Sequence, residues 1–291
     1  MKLETLYTIH YKKLLAIMLI IFAIAVIFLF NQYSTKGYFI EKDISLKGGI
    51  SATIYTEEKI NQEDVKNLLL EENPTAEVST RELKSLGSEK SNGILIETSN
   101  IEIEQVRSFI DTNYPTADIS IQQVGSNIGD TFFKEMITAM LFAFLLMSIV
   151  VFFTFKKAIP SLAVILSVVF DVVLTLVVIN IIGLKISSAG IAAFLMIIGY
   201  SVDTDILLTT RVLKRKEGTA WERSVGAFKT GIMMTITAIT AILVGLIATN
   251  SLVIKEMFTI LVIALVFDII ATWVMNTSLL LWYLNKNVKT A

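Results

Sequence analysis

Six uninterrupted apolar runs divide the polar stretches of this chain: about Leu14 to Phe30, Met136 to Phe155, Ser161 to Ile182, Ser187 to Leu208, Gly231 to Thr249 and Met257 to Leu284. A helix that crosses the hydrocarbon core needs roughly 20 mostly apolar residues, because that core is about 30 Å thick. Each run meets this demand, so the pattern predicts six transmembrane helices. The last is long enough to tilt or to extend past the bilayer. Pro160 stands just before the third run, where it fits a helix's first turn without breaking it. Lys12 and Lys13 precede the first run as they would in a signal peptide. That run ends Phe28-Leu29-Phe30-Asn31-Gln32, with no small-residue cleavage site, so it is expected to remain as an anchor.

Between the first two runs the periodicity changes. Ile50, Ala52 and Ile54 alternate as in a half-buried strand, as do Ala76 with Val78, Ile94 with Ile96, and Ile119 with Ile121. Val65, Leu68 and Leu69 mark one helix; Ile103, Val106, Phe109 and Ile110 mark another. Asn61 with Asp64, and Ser99 with Glu102, have the spacing of capping boxes. The order β-α-β-β-α-β predicts a ferredoxin-like α+β domain with its helices on one face of the sheet. The expected organisation is therefore residues 1–30 as N-terminus and first helix, 31–135 as the sheet domain, and 136–291 as a five-helix membrane region.

Charge supplies the orientation. Lys2, Lys12, Lys13, Lys156, Lys157, Arg211, Lys214, Arg215, Lys216, Arg223, Lys229, Lys286 and Lys289 all fall on the side of the N-terminus; the short loops opposite carry only Lys185 and Lys255. Cytoplasmic loops are enriched in Lys and Arg, so both termini are expected inside the cell membrane and the 31–135 domain outside. In that domain acidic residues outnumber basic ones by about eight. Formal net charge over the 291 residues is −1, which gives no reason to expect a nucleic-acid partner.

The chain has no cysteine and one histidine, His10. Thiolate metal sites, disulfides, imidazole metal sites and Ser/His or Cys/His catalytic pairs lack their residues. No cofactor, metal site or enzymatic activity is expected. Gly48-Gly49 leads into a strand instead of following one, which is the wrong context for a phosphate loop and the right one for a tight bend.

Carboxylates inside the apolar runs are the sharpest chemical signal. Placing one at the bilayer centre costs at least roughly 2.5 to 3.5 kcal/mol, so each needs a reason. Asp171 interrupts the third run and Asp268 the sixth; Asp203 and Asp205 lie toward the cytoplasmic end of the fourth. One reading is a proton or ion relay, since low dielectric lets a carboxyl hold and release a proton at working pH. The other is a structural carboxylate bonded to hydroxyls or amides of neighbouring helices. A second carboxylate and several hydroxyls crowd the turns around Asp203, which ranks it first; Asp205, nearer the interface, ranks below it. Arg211, two turns beyond Asp203, reads as a cytoplasmic-edge cation or as a charge partner. Small residues at four-residue spacing (Ala189 and Ala193; Thr237, Ala241 and Gly245) predict close packing of the fourth and fifth helices at the centre of the bundle.

These residues, in this order, resemble the SecF branch of the SecD/SecF protein-export family, within the resistance-nodulation-division (RND) superfamily. The resemblance rests on the anchor helix, Gly-Gly bend and ferredoxin-like domain, on Phe170-Asp171-Val172-Val173-Leu174-Thr175, and on Ile198-Gly199-Tyr200-Ser201-Val202-Asp203 followed by Arg211. It extends over essentially the whole chain. Bacterial members read Gly-Tyr-Ser-(Ile/Leu)-Asn-Asp in the fourth helix. Here Asp203 takes the Asn position, Thr204 the Asp position, and Asp205 follows, a form that looks archaeal. The resemblance implies the relay role for Asp203 first, places Asp171 on the family's third-helix aspartate, and leaves the role of Asp205 open. It also implies a complex with SecD, action beside a SecYEG-type translocon on unfolded preproteins, and coupling to the proton-motive force. Two other functions stay open: a non-transducing membrane scaffold or chaperone for emerging chains, and half of an RND-type exporter of small molecules or lipids.

Overall fold

Every apolar run lies in helix in the computed structural model, which describes residues 3–56, 60–74, 76–84, 91–215, 217–249 and 251–288. Two units emerge: one from the chain up to Glu41 and from Thr138 onward, the other Lys42–Ile137. Helix α1 spans Leu3–Lys36. The second unit then follows the order α2 (Ile44–Lys47), β1 (Gly49–Tyr55), α3 (Gln62–Glu72), β2 (Glu77–Lys84), β3 (Ser91–Ser99), α4 (Ile103–Asn113) and β4 (Asp118–Val124). The chain continues through α5 (Ser126–Phe155), α6 (Ala158–Ile182), α7 (Ser188–Lys214) and α8 (Ala220–Ala248). The final span is α9 (Leu252–Ile270), one π-helical stretch Ala271–Asn276, and α10 (Thr277–Val288).

The sheet is antiparallel in the order β2-β3-β1-β4, the ferredoxin-like arrangement the alternation predicts. Register places Ala52 opposite Ile96 on one side and Ile121 on the other, so the apolar set of each strand shares one face. Ile50, Ile54, Ile94 and Ile96 bury that face against Val65 and Leu69 of α3 and Val106, Phe109 and Ile110 of α4. Asn61 caps α3, accepting from the Glu63 N–H at 3.1 Å. Helix α4 starts one turn later than the Ser99–Glu102 spacing predicts: Ser99 is still paired with Glu77 in the sheet, and the capping box is Glu102 with Gln105. Gly93 has φ +139°, and a side chain there would drive into the Ile54 carbonyl across the ladder.

In the helical unit, six helices among the described residues are long and apolar enough to cross a membrane. Ile27, Phe153 and Ile247 are 67%, 69% and 68% exposed, an outward apolar surface suited to lipid, since a helix satisfies its own backbone. Inside, Phe22 of α1 stacks on Phe170 of α6 at 6.0 Å, over Leu174, Ala271 and Met275. Val164 and Val168 of α6 meet Val151 and Phe155 of α5 and Ile198 and Val202 of α7. Local chemistry fixes the helix ends. Gly183, at φ +69°, closes α6, and the Ser187 hydroxyl accepts from the Ala189 and Gly190 N–H groups to open α7. Thr219 and Glu222 form a reciprocal capping box on α8.

The small-residue expectation holds for α7 and fails for α8. Ala193 is fully buried, whereas Thr237 and Ala241 are exposed, and only Gly245 of that set is pressed by a neighbour, Phe258 of α9. Helix α8 thus lies at the rim of this unit. Residues at four-residue spacing share a helix face only approximately, so Gly245 has turned toward α9 while Thr237 has not.

Candidate functional site

Helices α6, α7 and α9 bring three carboxylates to the centre of the helical unit. Asp171, Asp205 and Asp268 are each fully buried, and so are Ser167, Thr175, Ser201, Thr204, Thr209, Thr272, Asn276 and Ser278. A buried charge costs far more than a buried amide or hydroxyl unless it is paired or hydrogen-bonded. Here the observed partners are neutral donors. The Ser201 hydroxyl of α7 donates to Asp171 Oδ2 of α6 at 2.6 Å. The Asn276 amide donates from Nδ2 to Asp205 Oδ1 at 2.6 Å. The Thr272 hydroxyl donates to Asp268 Oδ1 at 3.3 Å, one turn along the same helix.

The three pairs are interleaved. Ser201 also lies within reach of Asp268, and Ser167 and Thr272 within reach of Asp205. The remaining oxygens, Asp171 Oδ1, Asp205 Oδ2 and Asp268 Oδ2, have no hydrogen-bond partner among the described residues, nor does Asn276 Oδ1. Unsatisfied acceptors on three helices, with buried hydroxyls close by, form an arrangement that can take up protons or a small cation. No group of three or more His, Cys, Asp and Glu among the described residues has the geometry to hold a metal ion.

It is Asp205, not Asp203, that α7 carries into this cluster. Two residues on a helix are separated by about 200° of rotation, so the two side chains leave opposite faces. Asp203 is exposed, on the same side of α7 as Met196 and Gly199, while Asp205 is buried against the sixth span. Of the hydroxyls that crowd the same turns, Ser201 and Thr204 are buried, whereas Asp203 is exposed. Arg211 donates from Nη1 to the Gly226 carbonyl at 2.5 Å, which directs its guanidinium toward α8. Gly48 (φ +81°) ends α2 with its N–H on the Ile44 carbonyl, and Gly49 (φ +135°) opens β1, where an added Cβ would lie 2.5 Å from the Thr98 carbonyl oxygen.

Sequence reasoning did not single out Thr272 and Asn276. Asp268, Thr272 and Asn276 recur every four residues within an apolar run, a polar stripe that was there to be read. The π-helical stretch has no such signal. In it the Thr277 N–H bonds to the Thr272 carbonyl five residues back, and such π segments are frequent at functional sites.

A family profile described as "Protein export membrane protein SecD/SecF, C-terminal" matches residues 105–286. SecF of Methanolacinia petrolearia is 38% identical over 284 residues, covering 96% of this chain and 95% of its own. SecF of Pyrococcus furiosus is 32% identical, covering 98% and 95% respectively. Among solved structures, SecDF of Thermus thermophilus, a translocon-associated membrane protein, superposes with a TM-score of 0.76 at 20% identity over 94% of this chain. SecDF in its super-membrane-facing form gives 0.64 at 19% identity over 98%. The chain spans about two fifths of the SecDF chain, 38% and 39% in the two cases.

Proposed function

The chain belongs to the SecD/SecF family of protein-export membrane proteins, and from that premise we propose that it is an accessory export subunit that works with SecD and is driven by an ion gradient through Asp171, Asp205 and Asp268. The observation that carries this reading is the buried cluster itself. Three carboxylates on three spans are expensive to keep in a membrane, and purely structural hydrogen bonding would not require an acidic group on each helix. Successive protonation or ion binding would change which helix pairs are favourable, and so move the bundle between states.

A SecD-like partner is supported by size and by Asp203. SecDF is a single chain more than twice this length, and this chain aligns with about two fifths of it. An exposed carboxylate within a span costs roughly 2.5 to 3.5 kcal/mol toward lipid, and less when another chain or water covers it. We therefore assign the face of α7 bearing Gly199 and Asp203 to the partner. Both termini lie on the cytoplasmic side, in keeping with the Lys and Arg bias, and the sheet domain lies outside, where it meets emerging preproteins beside a SecYEG-type channel.

The test is export of a reporter preprotein in cells carrying Asp205→Asn, with membrane abundance of the protein followed alongside. Export is expected to fall at least tenfold at unchanged abundance. Asp203→Asn is expected to reduce export less and to weaken co-purification with the partner. Unchanged export in Asp205→Asn, Asp171→Asn and Asp268→Asn would instead make the protein a scaffold that does not transduce a gradient.

A further inference from the structure

The carboxylate cluster leaves unused a cavity at the start of α8. Trp221, Ser224, Val225 and Phe228 enclose it with Trp273 of the sixth span, Lys229 also lines it, and its volume is about 320 Å³. That is within the range of small-molecule sites, about 300–1,000 Å³, and too small to seat a helix some 10–12 Å across. Phe228 meets Trp273 edge to face, with ring centroids 5.2 Å apart, and Gly231 gives the indole room, since a side chain there would strike it. The wall is almost entirely apolar, since the Ser224 and Thr277 hydroxyls donate back to the Ala220 and Thr272 carbonyls, and two further side chains set its chemistry.

The first is Lys229, exposed, two residues before the apolar run that begins at Gly231, and so at the level where α8 leaves the hydrocarbon. The second is Trp273. Its side chain is 5% exposed and its indole N–H is itself buried, so the ring offers the cavity only carbon. An occupant that suits both must bring a compact anion for the ammonium and hydrocarbon for the aromatic wall. A soluble anion would leave the aromatic walls unused, and a bare hydrocarbon would leave the cation unused.

We propose that this cavity binds one anionic phospholipid, in the leaflet on the side of both termini, with an acyl chain laid along Trp221, Val225 and the paired rings of Phe228 and Trp273, and its phosphate at Lys229. Tryptophan and lysine at the membrane boundary are the residues that anchor to headgroups, and here they converge on a cavity. The site is separate from the Asp171, Asp205 and Asp268 cluster, though Trp273 and Thr277 sit on the turns that follow Thr272. A lipid bound here would press directly on the π-helical stretch.

The protein reconstituted in phosphatidylcholine bilayers provides the test, with Trp282→Phe as background so that Trp221 and Trp273 report. Brominated phosphatidylglycerol is titrated in, and tryptophan quenching is compared with that by brominated phosphatidylcholine. The anionic probe is expected to reach half-maximal quenching at a several-fold lower mole fraction. Lys229→Gln, an exposed change that spares the fold, should abolish that preference. Ser224→Leu, which fills the cavity, should reduce quenching by both probes. Coincident curves for both lipids, unchanged in Lys229→Gln, would mean that only the ordinary lipid annulus is seen and would overturn the proposal. Cross-linking of Val225→Cys in native membranes to a polypeptide in place of lipid would overturn it too, and would assign the cavity to a partner chain.

Discussion

In the sheet domain the apolar core is Ile50, Ile54, Ile94, Ile96, Val65 and Ile110, and among its described acidic residues only Glu97 is buried; in the helical unit Asp171, Asp205 and Asp268 are at the centre while Ile27, Phe153 and Ile247 point out. The difference follows from the solvent each unit meets. A domain in water is held together by removing apolar surface from that water, so its core must be apolar. Helices in lipid gain nothing from hiding leucine from leucine-like chains, and they associate through packing and polar contacts instead. A polar centre is therefore compatible with a stable bundle, and the fully buried positions there are free to carry function.

The largest expected effect puts the two interiors in direct opposition. Ile96→Asp places an unpaired charge in the sheet core and should cost the domain more than about 4 kcal/mol. Loss of hydrogen-exchange protection in β1 and β3 would register it. Asp171→Leu makes the reverse exchange in the bundle. Removing this carboxyl also removes the cost of burying it, and the Ser201 hydroxyl left behind lies within reach of Asp268, so the exchange should be close to neutral. The variant should therefore melt in lipid nanodiscs close to the wild-type temperature while export fails. If Asp171→Leu unfolded as Ile96→Asp does, the two interiors would obey one rule, and the cluster would be structural.

The sequence reading separated these regions well and resolved the second poorly, for physical reasons. Period-two alternation at Ile50, Ala52 and Ile54 states both the strand and its buried face, because a strand has only two faces. Length and apolarity locate a membrane helix, but they say little about which side of it faces the bundle when apolar residues surround it all round. Asp203 and Asp205 show the consequence. Both were visible in the fourth run, but which one points inward depends on how α7 packs against α6 and α9. The Thr237-Ala241-Gly245 stripe misleads in the same way, because small residues permit close packing without requiring it. The π-helical stretch depends on backbone bonds that no side-chain pattern announces.

Two glycines carry the comparison to a smaller scale. Gly93→Ala forces a side chain into the Ile54 carbonyl at positive φ and should destabilise the domain by about 1–3 kcal/mol, seen as a lower denaturation midpoint for its β-sheet signal. Gly199 is helical, and nothing lies within 4 Å of an added Cβ. Gly199→Ala should stabilise the isolated chain by up to about 1 kcal/mol through helix propensity. If a partner covers the Asp203 face as proposed, the same change should weaken co-purification with it. Unaltered co-purification would leave that face to lipid.

The smallest effect belongs to Tyr114, which ends α4 at the edge of the sheet core. Burial, and secondarily the charge of Asp64 on α3, raise its phenol above the ordinary value of 10.0. A raised phenol means that the folded domain holds this proton more tightly than the unfolded chain does. The corresponding stability is complete below pH 10 and is lost as pH rises through the folded value. Phenolate absorbance of the protein minus that of Tyr114→Phe isolates the titration. Asp64→Asn should move it toward, but not to, the ordinary value, because the larger cause is burial. A shift all the way back would mean that a carboxylate at the domain's surface controls this group by itself. Carboxylate charge would then shape the sheet domain as strongly as it is proposed to shape the bundle, which is the result the contrast between the two units excludes.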